Sequence, residues 1–125
     1  MGVDVTRQKR QGTAFETAWT KMLQTVGATA QRLAEQGVHD RGDIDSTLPD
    51  GTQIIWEAKH VERLPMAPHD LLRRAETKAS APAGIVWKRS TRKPGNDKRS
   101  SDGTVVILRA ETFMALVARL EGQDR

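Results

Sequence analysis

Two acidic residues and a lysine, Asp43, Glu57 and Lys59, are the best candidates for catalysis in this chain. Between them stands the Asp50-Gly51 pair, and an Asp-Gly pair between two apolar runs predicts a hairpin. Because side chains alternate faces along a strand, Glu57 and Lys59 share one face of the second strand. Folding back at the turn would bring Asp43 close to Glu57. Two carboxylates and an ammonium would then meet at one strand end.

Two neighbouring carboxylates require a cation between them or a shared proton. A hard divalent ion with oxygen ligands, Mg²⁺ or Mn²⁺, meets that requirement. An ion held by Asp43 and Glu57 would activate water and neutralise a phosphate, while Lys59 would stabilise developing charge or orient the nucleophile. In a chain with 29% charged residues, Asp43 could instead cap a turn beside a solvated strand face that carries Glu57 and Lys59.

An Asp followed on the next strand by Glu-x-Lys resembles the motif of the PD-(D/E)xK nuclease superfamily. The longer strings Gly-Val-His-Asp-Arg-Gly-Asp-Ile at residues 37–44 and Trp-Glu-Ala-Lys-His at residues 56–60 resemble the Holliday junction resolvases of that superfamily, phage and archaeal types among them. The resemblance spans residues 13–120. One position departs from the motif, because Gly42 stands where the superfamily has a proline before the aspartate.

The resemblance implies an α/β fold with a restriction-endonuclease-like core, in which helices flank a central mixed β-sheet. It also implies a metal-dependent DNA endonuclease that resolves four-way junctions in DNA recombination and repair, as a C2 homodimer with one active site in each subunit. In the implied mechanism, Asp43 and Glu57 bind Mg²⁺ or Mn²⁺ with help from the Ala58 carbonyl. Lys59 stabilises charge in the transition state, and Glu16 on the first helix completes or tunes the metal site.

Two other function classes stay open. One is a different nuclease of the same fold, of the nicking, restriction or exonuclease type. The other is a non-catalytic basic DNA-binding module with a decayed site, although the intact set of Asp43, Glu57 and Lys59 argues against decay.

The composition is that of one polar domain, and its charge is compatible with a polyanionic partner. The chain has 125 residues, no cysteine and a net charge of +4, which excludes disulfides and thiolate metal sites and is compatible with nucleic acid. No apolar run approaches the roughly 18 residues of a membrane span, and no signal peptide is evident. We therefore expect a cytoplasmic protein, in the host cell if a phage encodes it.

A helix is predicted to begin at Thr13, with Glu16 at the capping-box spacing and Gly27 at its end. Glu16 thus has two interpretations, as a capping residue and as the metal-site residue that the resemblance implies. Residues 1–12 are predicted to form a flexible basic arm, separate from the nuclease domain at residues 13–125, and the alternative is an ordinary frayed terminus.

Residues 28–35 fit either a continued helix or a short strand, and the resemblance favours an edge strand, with Arg32 facing solvent or DNA. In the loop that follows, His39 is interpreted as a plain loop histidine and Asp40 as a salt-bridge partner of Arg41, although both are also candidates for substrate contact. The remaining pattern predicts helices over residues 70–80 and 111–120, and strands over residues 83–88 and 104–108.

Positive charge is concentrated between the last two predicted strands. Residues 88–99 hold six cations and one anion, a net charge that exceeds that of the whole chain. A basic loop at a strand end is a common means of binding phosphates, and the alternative is a solvated loop whose charge serves solubility. The residues predicted to contact DNA are Arg7, Lys9 and Arg10 of the arm, Arg41, and Lys88, Arg89, Arg92, Lys93, Lys98 and Arg99.

Overall fold

A computed structural model describes residues 2–36, 41–89 and 103–123 of the chain. Its helices are α1 (Gly2–Thr25), α2 (Pro68–Ala79) and α3 (Ala110–Gln123), with one short 3-10 helix at Leu33–Gln36. Its strands are β1 (Thr29–Arg32), β2 (Ile44–Thr47), β3 (Gln53–His60), β4 (Ala83–Lys88) and β5 (Thr104–Leu108).

The strands form one five-stranded sheet in the order β1-β2-β3-β4-β5. The pair β3–β4 is parallel and the other pairs are antiparallel. A parallel pair needs a crossover connection, and α2 supplies it between β3 and β4. The predicted fold class, a mixed sheet flanked by helices, is confirmed. The edge strand expected within residues 28–35 is present as β1, followed by the 3-10 helix.

The turn between β2 and β3 forms where the Asp-Gly pair predicts it. The Asp50 carboxylate accepts hydrogen bonds from the backbone N–H and the hydroxyl of Thr52, both at 2.9 Å. Gly51 adopts φ +91°, a left-handed conformation that glycine reaches without a steric penalty. The register pairs Ile44 with Trp56, and Asp43 directly precedes Ile44 while Glu57 directly follows Trp56. The turn therefore sets the two carboxylates opposite each other.

Side-chain alternation along β3 divides the core between the two sheet faces. Ile54 and Trp56 pack on the α1 face with Phe15, Leu23, Ile44 and Val86. Ile55 points to the other face, where Leu33 and Ala79 of α2 cover it. The Trp56 indole N–H donates to the Ser46 hydroxyl at 2.9 Å, so this polar group is satisfied inside the core.

Helix α1 begins earlier than the sequence predicts. It starts at Gly2 and runs through the segment predicted as an arm, so the capping role of Thr13 and Glu16 is wrong. No breaker interrupts residues 2–12 apart from Gly12, which a helix tolerates at modest cost. The division of the chain into an arm at residues 1–12 and a domain at residues 13–125 stays a prediction.

Among the residues that the structure describes, no helix is long and apolar enough to cross a membrane.

Two glycine-to-alanine substitutions test the packing. A Cβ at Gly84 would lie 2.6 Å from Cζ3 of Trp56 and 2.9 Å from Cδ2 of Leu108, so Gly84→Ala should destabilise the fold by about 1–3 kcal/mol through overpacking. Gly12 has no heavy atom within 4 Å of such a Cβ, so Gly12→Ala should stabilise the helix by about 0.5–1 kcal/mol. Urea unfolding measures both changes, and equal effects of the two substitutions would contradict this packing.

Candidate active site

Asp43 and Glu57 lie opposite each other where β2 and β3 meet. The backbone N–H of Asp43 donates to the Trp56 carbonyl at 2.9 Å, which extends the antiparallel pairing by one residue. The Asp43 carboxylate accepts a hydrogen bond from the Ala58 N–H at 2.8 Å. The predicted approach of the two carboxylates is confirmed by the strand register, and Glu57 itself is 8% exposed.

Burial raises the pKa of Asp43 from 3.8 to about 6. The hydrogen bond from Ala58 acts in the opposite direction, because it stabilises the ionised carboxylate. The negative charges of Glu57 and Glu16 raise this pKa further, and the positive charge of Lys59 lowers it. Glu57, Glu16 and Lys59 thus lie close enough to Asp43 to act on its carboxyl group through their charges.

Lys78 of α2 reaches across the sheet face to Glu57. Its ammonium nitrogen lies 2.7 Å from Oε1 of Glu57. A buried carboxylate is destabilising unless it is paired, and this ion pair balances Glu57 in the protein without a bound ion. No role for Lys78 can be assigned from sequence, because a contact that depends on the crossover helix leaves no signal in the strand motif. The sequence shows a lysine on the last turn of the helix that leads back to the sheet.

Glu16 is paired in the same way with Arg32 at the end of β1. The distance from Nε of Arg32 to Oε1 of Glu16 is 3.2 Å, and the two side chains are 15% and 19% exposed. The expectation that Arg32 faces solvent or DNA is therefore wrong. Glu16 does lie on the first helix near Asp43, since its charge raises the pKa of that carboxyl.

The last residues of β3 point to opposite faces of the sheet. Lys59 lies on the same face as Glu57, as predicted from the alternation along the strand. His60 lies on the α1 side, with its ring centroid 5.7 Å from that of Phe15. Within the described part of the chain, its buried Nδ1 has no hydrogen-bond partner.

Gly42 and Arg41 shape the backbone just before Asp43. Gly42 adopts φ +142°, and a Cβ there would lie 2.6 Å from Cγ2 of Ile55. Proline, whose φ is fixed near −65°, cannot adopt this conformation, which gives a physical reason for the departure from the superfamily motif. Arg41 donates from Nε and Nη2 to the Ala79 carbonyl at 3.3 and 3.2 Å. It thereby caps the last turn of α2, and its predicted DNA contact stays a prediction.

The donor set at Asp43 and Glu57 fits a hard divalent ion that keeps part of its water shell. Mg²⁺ is commonly held by one or two carboxylates together with water and substrate phosphate. Among the described residues, no group of three or more histidine, cysteine or acidic side chains is arranged to hold a metal, so a closed cage made only of protein side chains does not fit here. Glu57 and Glu16 add their negative charges to the effect of burial on the pKa of Asp43, and a divalent cation would offset those charges.

The residues predicted to contact DNA are only partly within the described structure. Lys88 is exposed and pairs in register with His60, so β4 ends at the same end of the sheet as Lys59. Arg10 and Arg89 are exposed as well. Outside the described residues lie the side chains of Arg7 and Lys9, and the residues His39, Asp40, Arg92, Lys93, Lys98 and Arg99.

Among solved structures, the chain is similar to Hjc of Archaeoglobus fulgidus, a Holliday junction resolvase from an archaeal hyperthermophile. The two chains are 27% identical over 66% of this chain and 71% of that chain, with a TM-score of 0.47. No protein-family model and no curated protein matches the chain.

The raised pKa of Asp43 predicts a pH dependence of stability. The folded protein holds this proton more tightly than the unfolded chain, so the stabilisation is complete below pH 3.8 and is lost as the pH rises through about 6. In the presence of a chelator, Asp43→Asn should remove this loss and make the variant more stable than the wild type at pH 7, by up to about 3 kcal/mol.

Urea unfolding of both proteins between pH 4 and pH 7 measures this difference. The asparagine keeps an oxygen that can accept the Ala58 N–H, so the substitution mainly removes the charge. A constant difference between variant and wild type across that range would contradict the raised pKa.

Proposed function

We propose that this chain is a metal-dependent endonuclease that cuts four-way DNA junctions by phosphodiester hydrolysis. The observation that carries the proposal is the position of Asp43 and Glu57, which the hairpin sets opposite each other in a poorly solvated corner of the sheet. Lys59 follows on the same face as Glu57. Two carboxylates and an ammonium in this arrangement suit the hydrolysis of a phosphodiester.

Asp43 and Glu57 would hold Mg²⁺ or Mn²⁺, and the resemblance adds the Ala58 carbonyl and Glu16 to that set. An ion bound there supplies Lewis-acid chemistry: it lowers the pKa of water and offsets the charge of the phosphate. We assign the other roles in the reaction to groups of the protein itself.

Lys59 is assigned to the charge that develops on the phosphate in the transition state. Its ammonium is close enough to lower the pKa of Asp43, so it acts within the same cluster. The Ala58 N–H fixes the orientation of the Asp43 carboxylate through their 2.8 Å hydrogen bond. A carboxylate that is already oriented loses little conformational entropy when it binds an ion.

The substrate class comes from the motif resemblance, which leads to four-way junctions rather than to linear duplex. Resolution of a junction requires two opposed cuts. A C2 homodimer supplies two equivalent active sites most simply, because its interface relates the two copies by a twofold axis. We therefore include a homodimer in the proposal.

Cleavage of a labelled four-way junction, measured beside a linear duplex of matching sequence, tests this function. The wild type should cut the junction selectively with Mg²⁺ and not with EDTA. Asp43→Asn and Glu57→Gln should each lower the cleavage rate by at least about a hundredfold, because each removes a charged ligand. Junction affinity in EDTA should stay nearly constant, since contacts to the phosphates elsewhere carry binding.

Asp45→Asn is the matched control, because Asp45 lies on β2, two residues after Asp43, and its carboxylate accepts a hydrogen bond from Gln53 at 3.0 Å. This variant should cut like the wild type. Equal cutting of junction and duplex would leave a nuclease of another type, and tight junction binding without cutting would leave a DNA-binding module. Parallel loss of binding and cleavage in the Asp43 and Glu57 variants would count against their assigned roles.

The basic segment after β4 should carry much of the salt-dependent affinity. Charge-neutralising substitutions of Lys88, Arg89 and the cations at residues 92–99 should weaken junction binding. The slope of log affinity against log salt should fall by about 1 for each phosphate contact removed. Arg119→Gln is the control, since Arg119 lies on α3 and its side chain donates to the Asp50 carbonyl of the β2–β3 turn at 3.0 Å. An unchanged slope in the first variant would remove this segment from the DNA interface.

A further inference from the structure

We propose that Lys78 is a built-in counter-cation, which pairs with Glu57 in the metal-free protein and competes with the divalent ion for that carboxylate. The inference rests on the metal site of the proposed function. It concerns what the chain does before an ion binds, and it makes the affinity for the ion depend on a residue that lies outside the set of metal ligands.

The ion pair itself is the first observation. The ammonium nitrogen of Lys78 lies 2.7 Å from Oε1 of Glu57, and the Glu57 side chain is only 10% exposed. A carboxylate at that depth has lost most of its hydration, so it requires a partner in every state of the protein. Without a divalent ion, Lys78 is that partner.

An ammonium and a divalent cation exclude each other at the same carboxylate. Both carry positive charge, so each repels the other and weakens the attraction of the other for Glu57. Binding of an ion by Asp43 and Glu57 therefore requires Lys78 to withdraw. Lys78 can do so because its side chain is 37% exposed and carries its charge on a flexible four-carbon stem.

The backbone of α2 stays in place during this exchange. Ala79 follows Lys78 directly and is completely buried, and its carbonyl accepts two hydrogen bonds from Arg41. Ser80 closes the helix in a left-handed conformation with its N–H bonded to Glu76. These contacts anchor the last turn of the helix, so the displacement is confined to the lysine side chain.

A comparison with the Glu16–Arg32 pair explains why Lys78 is the cation that is displaced. Arg32 is 15% exposed, and its planar guanidinium is weakly hydrated and permanently charged, which suits a lasting buried pair. Lys78 is more exposed and its ammonium hydrates strongly in water. Of the two ion pairs in the cluster, the one at Glu57 is therefore the easier to open, and Glu57 is the residue that the proposed site needs as a ligand.

Calorimetric titration of the full chain with Mn²⁺ alone, without DNA, tests the proposal. Lys78→Met removes the competing charge and keeps a chain of similar length, so Mn²⁺ should bind about fivefold to tenfold more tightly than to the wild type. Lys78→Arg keeps the positive charge in a guanidinium that is harder to displace from Glu57. The affinity for Mn²⁺ should therefore equal that of the wild type or fall below it. Arg74→Met removes an exposed cation one helical turn away and should change nothing.

Thermal melting with and without Mn²⁺ gives the second readout. In EDTA, Lys78→Met should melt below the wild type, because Glu57 has lost its partner. The rise in melting temperature on adding Mn²⁺ should then be larger in the variant than in the wild type. Lys78→Gln, which can still donate a hydrogen bond to Glu57, serves if the methionine variant does not fold, and it too should bind Mn²⁺ more tightly.

Affinity for Mn²⁺ that is unchanged or weaker in the neutral Lys78 variants would overturn the inference, and the ion pair would then be a permanent part of the fold. This outcome is distinct from a failure of the proposed function. If the wild type binds no Mn²⁺ that depends on Asp43 and Glu57, the metal site and the role of Lys78 are both overturned.

Discussion

The structure depends on how three carboxylates are kept in one poorly solvated corner of a sheet. Each is balanced in a different way. Asp43 accepts the Ala58 N–H, Glu57 pairs with a lysine from the crossover helix, and Glu16 pairs with an arginine from the edge strand. Burial raises the pKa of Asp43, and the hydrogen bond from Ala58 offsets that effect only in part. Carboxyl groups with strongly shifted pKa values beside specific charged partners are concentrated at functional sites.

The architecture brings these partners together from distant parts of the sequence. The β2–β3 hairpin sets the two carboxylates opposite each other through its register. The parallel pairing of β3 and β4 requires a crossover, and the helix that provides it also delivers Lys78 to Glu57. Helix α1 packs on the other face, where its Phe15 belongs to the same core cluster as Trp56 of β3. The helix also carries Glu16 to the edge of the carboxylate cluster. The same elements that build the core therefore set the charge balance of the site.

The sequence predicts the local part of this arrangement well. The Asp50-Gly51 turn and the alternation along β3 are short-range signals, and they suffice to pair Asp43 with Glu57. The helix start was predicted wrongly at Thr13, because the Thr-x-x-Glu spacing that indicates a cap lies here inside a longer helix. Lys78 and Arg32 could not be assigned from sequence, since each meets its partner only after the crossover or the edge strand has been placed. Their charges alone fit a solvated surface just as well.

The position of a bound ion would test the metal site at Asp43 and Glu57 directly. Crystals of the chain grown or soaked with Mn²⁺ should show an anomalous difference peak within about 2.0–2.3 Å of a carboxylate oxygen of both Asp43 and Glu57. The Lys78 ammonium should then no longer contact Glu57. A peak bound elsewhere, or no peak at these carboxylates while Lys78 stays paired, would contradict the central claim that the two acidic residues form a metal site.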